Sequence, residues 1–383
     1  MKSNCKKLGP YIRQIDERNV EDIHYELLGV SVDKCFIKSI ANTVGTDWRG
    51  YKKIRRGQFC YIPDTSRRGD KIGIALQCDY DIALVSQAYT VFEISNTDTL
   101  LPEYLNLWFK RHEFDRYARF HSHGSVREIF DWEEMCNIEL PIPAIDEQRR
   151  IVNAYNTIER RIELKRNINE NLESQAQAIF KAYFVDFYFN DGQMPSNWKI
   201  ATIGDVVSVA RGASPRPIQK YISSNGMPWV KISDASSSLT KYLFTTSECI
   251  IMEGVSSSRI VTPGTMIVSN SASPGLPMIV EITACVHDGW LIIDNYNHVT
   301  KEFMYYYFIS ERQNLISSSN GSVFNNLKTD IVKTHPIIIP DYETMLLVTD
   351  SFKKLNKTIK NNAIEINALN DLKNNLLRQI NSY

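Results

Sequence analysis

The sequence predicts an α+β protein in which two mostly-β domains, related as a pseudo-twofold repeat, are separated by two long helices forming an antiparallel coiled coil. Three observations predict it: a stretch near residue 124 recurs near residue 321, each half is rich in short strand-like runs, and each half closes on a long segment of helical periodicity. A chain of 383 residues also exceeds what one hydrophobic core usually serves, so two domains of roughly 150 residues plus connecting structure are expected. With 43% hydrophobic and 23% charged residues, the composition is that of a chain able to fold around a core.

The repeat is read without gaps. At a spacing of 197 positions Gly124-Ser125-Val126 matches Gly321-Ser322-Val323, Phe130 matches Leu327, Glu133 matches Asp330, and Ile142-Pro143 matches Ile339-Pro340. The same spacing carries on into Ile151 with Val348, Tyr155 with Phe352, Ile158 with Leu355 and Ile162 with Ile359. Apolar character is thus matched where a helix face needs it. Fainter echoes precede the block at other spacings: Arg56-Gly57-Gln58-Phe59 with Pro263-Gly264-Thr265-Met266, and Pro102-Glu103-Tyr104-Leu105 with Lys301-Glu302-Phe303-Met304. A period near 200 is too long for a solenoid, so duplication of a whole domain-plus-helix unit explains it better than stacked repeats or chance.

Each element follows in order. Residues 8–95 read as short strands, such as Ile23 to Val30, Gln58 to Ile62 and Ala88 to Ile94, rich in β-branched and aromatic residues and broken by Gly, Pro, Asp and Asn. Leu101 to Tyr117 switches to helical spacing, starting at Pro102-Glu103. From Ala144 a long helix carries Ile151, Tyr155, Ile158, Ile162, Leu172, Ala176, Ile179 and Tyr183, with no Pro or Gly before Gly192. Roughly 40 such residues span about 60 Å. Lys165 and Asn169 interrupt the seam, and Leu164 and Ile168 offer an alternative phase, so an imperfect heptad is expected there.

The second half mirrors the first. Strands are expected at Pro228 to Ile232, Thr265 to Ser269 and Leu291 to Ile293, and a helix at about Lys301 to Arg312. The closing helix places Val348, Phe352, Leu355, Ile359, Asn362, Ile366, Leu369, Lys373, Leu376 and Ile380 alternately four and three apart, the spacing of a coiled-coil seam. The natural partner for that stripe is the other long helix; a surface helix serving only to dock other subunits is the alternative. The expected domains are residues 1–143, a central helix 144–189, residues 190–340, and a distal helix 341–383.

Catalytic signatures are missing. No P-loop, no Gly-rich dinucleotide loop, no nucleophile elbow, no paired-His zinc helix and no Asn/Asp-Pro-Pro-aromatic tetrapeptide occurs, so no catalytic residue is assigned. Seven scattered cysteines never form a C-x-x-C pair, and His121-Ser122-His123 reads as a polar loop rather than a metal site. The start lacks an apolar leader and no run of 18 apolar residues occurs, so a cytoplasmic protein with no membrane contact is expected. The net charge of zero counts against nucleic-acid binding unless positive charge is local, and Arg49 to Lys71 is such a basic stretch.

Three stretches resemble the specificity-subunit family of type I restriction-modification systems, and together they cover essentially the whole chain. Gly69 to Ala75 with Gly124 to Trp132 resembles one type of N-terminal target recognition domain. Glu139 to Pro143 with Glu147-Gln148-Arg149-Arg150-Ile151-Val152, and Ala176 to Phe187, resemble the entry to and exit from the family's central helical region. Met194-Pro195-Ser196-Asn197-Trp198-Lys199, Gly204-Asp205-Val206, Arg211 to Pro215 and Pro228 to Asp234 look like the opening of a second recognition domain. One departure is Asp341-Tyr342-Glu343-Thr344-Met345, which lacks the Glu-Gln pair of the first copy.

The resemblance implies a non-catalytic subunit that reads a bipartite site on double-stranded DNA and directs adenine methylation or cleavage by others. The implied partners are two methyltransferase subunits and restriction/translocase subunits. S-adenosylmethionine, ATP and magnesium are then expected on those partners and no cofactor on this chain. For DNA binding the candidates are Lys52, Lys53, Arg55, Arg56, Arg67, Arg68 and Lys71 in the first domain and Arg211, Arg216, Lys220 and Lys231 in the second. A stand-alone DNA-modifying enzyme and a structural or inhibitory coiled-coil adaptor are the alternatives.

Overall fold

A computed structural model describes the chain except for residues 1–4, 41–44, 66–70, 125–127, 239, 319–325 and 381–383. The chain divides into two units, Met1–Arg161 with Ala368–Tyr383, and Ile162–Asn367. Each is α+β.

In the first unit the alternating apolar runs form two four-stranded sheets. One has the order Ile12–Ile15, Thr90–Ile94, Phe59–Tyr61, Ile74–Leu76, and the other Phe36–Lys38, Leu27–Val30, Ile82–Val85, Lys52–Arg55. The main core is aromatic: Phe59, Tyr61, Phe92, Tyr104, Phe109, Phe114 and Phe130 are all buried in one cluster, and the long helices add Ile151, Val152, Tyr155 and Ile380. Burying each such side chain contributes about 1.5–3 kcal/mol. The helix expected over Leu101 to Tyr117 is two helices, Pro102–Phe109 and His112–Phe120. The reason is packing. Phe109 and Phe114 meet with ring centroids 4.7 Å apart, whereas a continuous helix would point residues five apart about 140° away from each other. Lys110 and Arg111 absorb the break.

The second unit has two five-stranded sheets, ordered Ser208–Arg211, Trp290–Asp294, Thr265–Ser269, Pro277–Val280, Tyr242–Leu243, and Ile222–Ser223, Cys249–Ile250, Met227–Val230, Ala284–Val286, Arg259–Val261. The helix expected at about Lys301 to Arg312 runs on to Ser318 and buries Phe303 to Phe308.

The duplication is visible element by element. Trp132–Asn137 and Thr329–Thr334 are both six-residue helices, and their first residues stand 197 positions apart, the spacing read from the sequence. A short strand follows each, Glu139–Pro141 and Pro336–Ile339, and each pairs antiparallel with the strand that opens its own half, Cys5–Lys7 and Lys199–Thr202.

The long helices are Ile145–Phe184 and Tyr342–Gln379. Within the second unit they run antiparallel. Asn169 bonds Ile359 and Asn362, and the earlier Lys165 bonds Asn362 and Glu365, so one number rises as the other falls. The first unit holds the other end of the pair, where Lys373 donates to Glu159 at 2.9 Å. The seam keeps its phase across the interruption: Asn169 and Asn362 are buried and bonded, while Leu164 and Ile168 point outward. Polar residues are tolerated in a seam when each satisfies the other.

Gln148 explains the departure at the second helix entry. Its side chain is fully buried, accepting from the Leu101 amide at 2.9 Å and donating to the carbonyls of Thr99 and Pro143, each at 2.9 Å. At the matching place 197 positions on, Met345 is buried without polar atoms. The difference between the copies at this position is therefore one of core chemistry.

Candidate nucleic-acid interface

The basic strand of the first unit is matched by an acidic segment. Lys52 and Lys53 lie in Lys52–Arg55 with their side chains largely buried. Lys52 Nζ donates to the Tyr89 carbonyl at 2.9 Å and pairs with Asp16 at 3.2 Å. Lys53 Nζ pairs with Glu21 at 2.5 Å and Glu17 at 3.8 Å. Arg55 grips Glu17 with two bonds, Nη2 at 2.7 Å and Nε at 3.1 Å. The hydrogen bond from Arg55 holds the Glu17 carboxyl below its ordinary range, and the bond from Lys53 does the same for Glu21. Arg56 pairs with Asp81 at 3.0 Å and Lys71 with Asp33 at 3.6 Å. Arg67 and Arg68 lie outside the described residues.

This arrangement sorts the basic stretch. Lys52 and Lys53 tie the strand down from within, whereas Arg55 and Arg56 keep about half of their side-chain surface in solvent, 47% and 55%. An exposed guanidinium can exchange a carboxylate for a phosphate with little loss, because surface ion pairs are worth only about 0–1 kcal/mol.

In the second unit two candidates converge on one carboxylate. Arg211 ends its strand and donates from Nε to the Asp288 carbonyl at 2.8 Å, and Arg216 Nη2 meets Asp288 Oδ2 at 3.1 Å. Ser214 Oγ donates to Asp288 Oδ1 at 2.7 Å, and His287 Nε2 stands 3.2 Å from the same oxygen. Burial pushes the Asp288 carboxyl up, but the Ser214 bond and the charges of His287, Arg216 and Arg211 bring it below its ordinary value. Burial likewise lowers His287, with Arg216, Lys231 and Arg211 adding to the effect against the pull of Asp288. Lys231 pairs with Glu248 at 2.7 Å. Lys220 is exposed and makes no ion pair among the described residues.

The backbone imposes this convergence. Gly212 donates to the Trp290 carbonyl at 2.9 Å and Ala213 to the Val286 carbonyl at 3.0 Å, which clamps the 211–216 loop onto the 286–290 turn. A Cβ on Gly212 would lie 2.2 Å from the His287 carbonyl oxygen, so only glycine fits. Sequence reasoning missed Asp288 and His287; the available signal was the turn former pair Asp288-Gly289 between two apolar runs.

Elsewhere, His121 stacks on Tyr117 and its Nδ1 lies 3.2 Å from Glu134, a local contact at the end of a helix. Among the described residues no group of three or more His, Cys, Asp or Glu side chains is placed to hold a metal ion, and no helix is long and apolar enough to cross a membrane.

Two units of one repeated plan, each carrying clustered cations at strand ends and loops and joined by a helical pair, define a duplicated nucleic-acid-recognition protein. The model of the type I restriction modification DNA specificity domain matches residues 65–174 and 195–373, and the chain belongs to that family. It is a DNA sequence-recognition subunit and not an enzyme in itself. The specificity subunit of the type I restriction enzyme HindI of Haemophilus influenzae is 20% identical over 89% of this chain and 89% of its own length. The specificity subunit of the type I restriction enzyme MjaIX of Methanocaldococcus jannaschii is 27% identical over 35% of this chain and 34% of its own. The crystal structure of a type I restriction-modification system S subunit from M. genitalium shares the fold, with a TM-score of 0.58 at 14% identity over 98% of this chain and 95% of that one.

Proposed function

We propose that this chain reads a bipartite site on double-stranded DNA, one half with each recognition domain, while the two long helices fix the spacing between the halves. Two methyltransferase subunits methylate adenine where it docks, and restriction/translocase subunits cleave. S-adenosylmethionine, ATP and magnesium are held by those partners, and the complex works in the cytoplasm. The observation that carries the reading is the duplication itself: the helix and strand leading into each long helix recur 197 positions apart, and each half has its own cation cluster.

Two readers on a fixed spacer gain affinity through effective concentration only when both half-sites lie at the right separation. In the first domain Arg55, Arg56 and Lys71, with Arg67 and Arg68, face phosphates, and Lys52 and Lys53 hold their strand in place. In the second, Arg211 and Arg216 leave Asp288 for the DNA, joined by Lys220 and Lys231. Phosphate contacts of this kind set position, and polar side chains reaching base edges set the sequence read.

The test is mapping of methyladenine in cells that carry this gene beside a methyltransferase gene, against cells lacking this gene alone. A bipartite motif that disappears on deletion is expected, with one half changed by exchange of residues 1–143 and the other by exchange of residues 190–340. Methylation indifferent to the deletion would overturn the reading and favour the adaptor.

A further inference from the structure

In the second unit a cleft of about 260 Å³ opens where the second long helix passes the recognition domain. Its cationic lining is Lys241, Lys301, Lys353, Lys357 and Lys360, against Glu281 and Glu302. Two of these charges are already answered: Lys241 is buried against Glu173 at 2.6 Å, and Lys360 pairs with Glu281 at 2.7 Å. Lys301 donates to the Gly264 carbonyl at 2.8 Å, a neutral acceptor that leaves its charge standing. Lys353 and Lys357 are exposed and make no ion pair among the described residues.

Three open ammonium groups therefore face one cleft with a single free carboxylate, in a chain whose net charge is zero. Lys353 and Lys357 sit one turn apart, about 6 Å along the helix axis, where like charges repel. An anion between them removes the repulsion. Lysine suits phosphate as a mobile point charge and carries no base preference.

We propose that this cleft is a phosphate site filled by the DNA backbone in the assembled complex, apart from the arginines gathered on Asp288. The two sets of cations lie at opposite ends of one sheet. Gly264 and Glu281 adjoin the Thr265 and Val280 ends of their strands, while Asn270, which donates to the Asp288 carbonyl, follows the Ser269 end. Five strand residues separate the ends by roughly 17 Å, about the rise of half a helical turn of DNA. One duplex can touch both. The inference rests on the reading that the assembled complex binds DNA.

The experiment measures the affinity of the complex, subunit plus methyltransferase, for a duplex bearing its mapped motif across a salt series. Comparison is with Lys353→Gln/Lys357→Gln and with Lys354→Gln, which lies on the same helix outside the cleft and pairs with Asp350. Each phosphate contact contributes about 0.9 to the slope of log affinity against log salt. The double variant is expected to bind several-fold to tens-fold more weakly near physiological salt, with a slope shallower by about 1–2, while the methylated motif stays the same and Lys354→Gln changes neither. An unchanged slope overturns the proposal. So does loss of the methyltransferase from the double variant at unchanged slope, which assigns the cleft to an acidic protein surface. Calorimetric binding of inorganic phosphate or ATP, abolished in the double variant at unchanged slope, assigns it to a free phosphate and overturns it as well. If the unaltered complex does not bind its duplex, the functional reading fails and not this site alone.

Discussion

Lys165 donates a hydrogen bond from Nζ to Asn362 Oδ1 at 2.9 Å, and the two residues stand 197 positions apart, the spacing of the internal repeat. The same place in each copy thus touches the same place in the other. Asn362 donates in turn to Asn169 Oδ1 at 2.8 Å, Asn169 bonds the Ile359 carbonyl at 3.3 Å, and Lys165 pairs with Glu365 at 2.8 Å. The seam crosses its own symmetry point on a polar layer, with apolar Ile162, Ile359 and Ile366 nearby and buried.

That layer predicts strong coupling between the two asparagines. Asn362→Leu leaves the buried Asn169 Oδ1 without its donor, a loss of about 1–3 kcal/mol, whereas replacing both removes the polar need together. Thermal or denaturant unfolding of Asn169→Leu, Asn362→Leu and the double variant should show the double variant more stable than the sum of singles by about 0.5–3 kcal/mol. Strict additivity would show that the two side chains do not act as a pair.

The sequence made the periodic features legible and left the paired ones dark. The two long helices and the repeat rest on regular spacing, which is local information, and even the place of Asn362 in the seam follows from the four-and-three spacing. The break at Lys110 and Arg111 was not visible, because it answers to where Phe109 and Phe114 must pack. Nor was the acidic answer to the basic strand: Glu17 and Arg55 are 38 positions apart and meet only when the sheet forms. A count of lysines and arginines cannot tell an anchored cation such as Lys53 from an open one such as Lys357.

Gln148 gives a prediction against the repeat. Its counterpart Met345 shows that methionine fits this place in the second copy, yet Gln148→Met in the first would orphan the Leu101 amide and the Thr99 and Pro143 carbonyls. A destabilisation of about 1–3 kcal/mol is expected, the cost of roughly one unmet buried polar group, because the three bonds are only part-buried and Thr99 is itself exposed. A melting temperature unchanged from the parent protein would mean that water or a shifted backbone satisfies all three.

The acidic segment gives a pH dependence of definite sign. The Arg55 bond lowers the Glu17 carboxyl below its ordinary value of 4.5, so the folded state holds this proton less tightly than the unfolded chain does. The pair therefore contributes stability that is fully present above 4.5 and is lost as pH falls through the lowered value. The difference in melting temperature between the parent and Glu17→Gln should be largest near neutrality and close as the pH drops from about 5 toward 3. A difference that persists unchanged through that range would sink the assignment.

Asp288 predicts an effect confined to half of the recognised site. It collects Arg211, Arg216, Ser214 and His287, so Asp288→Asn keeps the shape and the Arg211 bond to the main-chain carbonyl while removing the charge that holds the Arg216 guanidinium and stands 3.8 Å from that of Arg211. Two opposing consequences follow, freer cations for phosphate and poorer aim at the bases. Overall DNA affinity is therefore expected to hold or rise with a steeper salt dependence, while methylation spreads to sites altered in the half read by the second domain. The half read by the first domain keeps its sequence. Gly212→Ala serves as the contrasting variant, because its Cβ would lie 2.2 Å from the His287 carbonyl oxygen and 2.8 Å from that of Val286. It displaces the whole turn, and methylation of the motif should fall without relaxing. Equal relaxation of both halves by Asp288→Asn would show that Asp288 acts on the fold in general and not on the second reader.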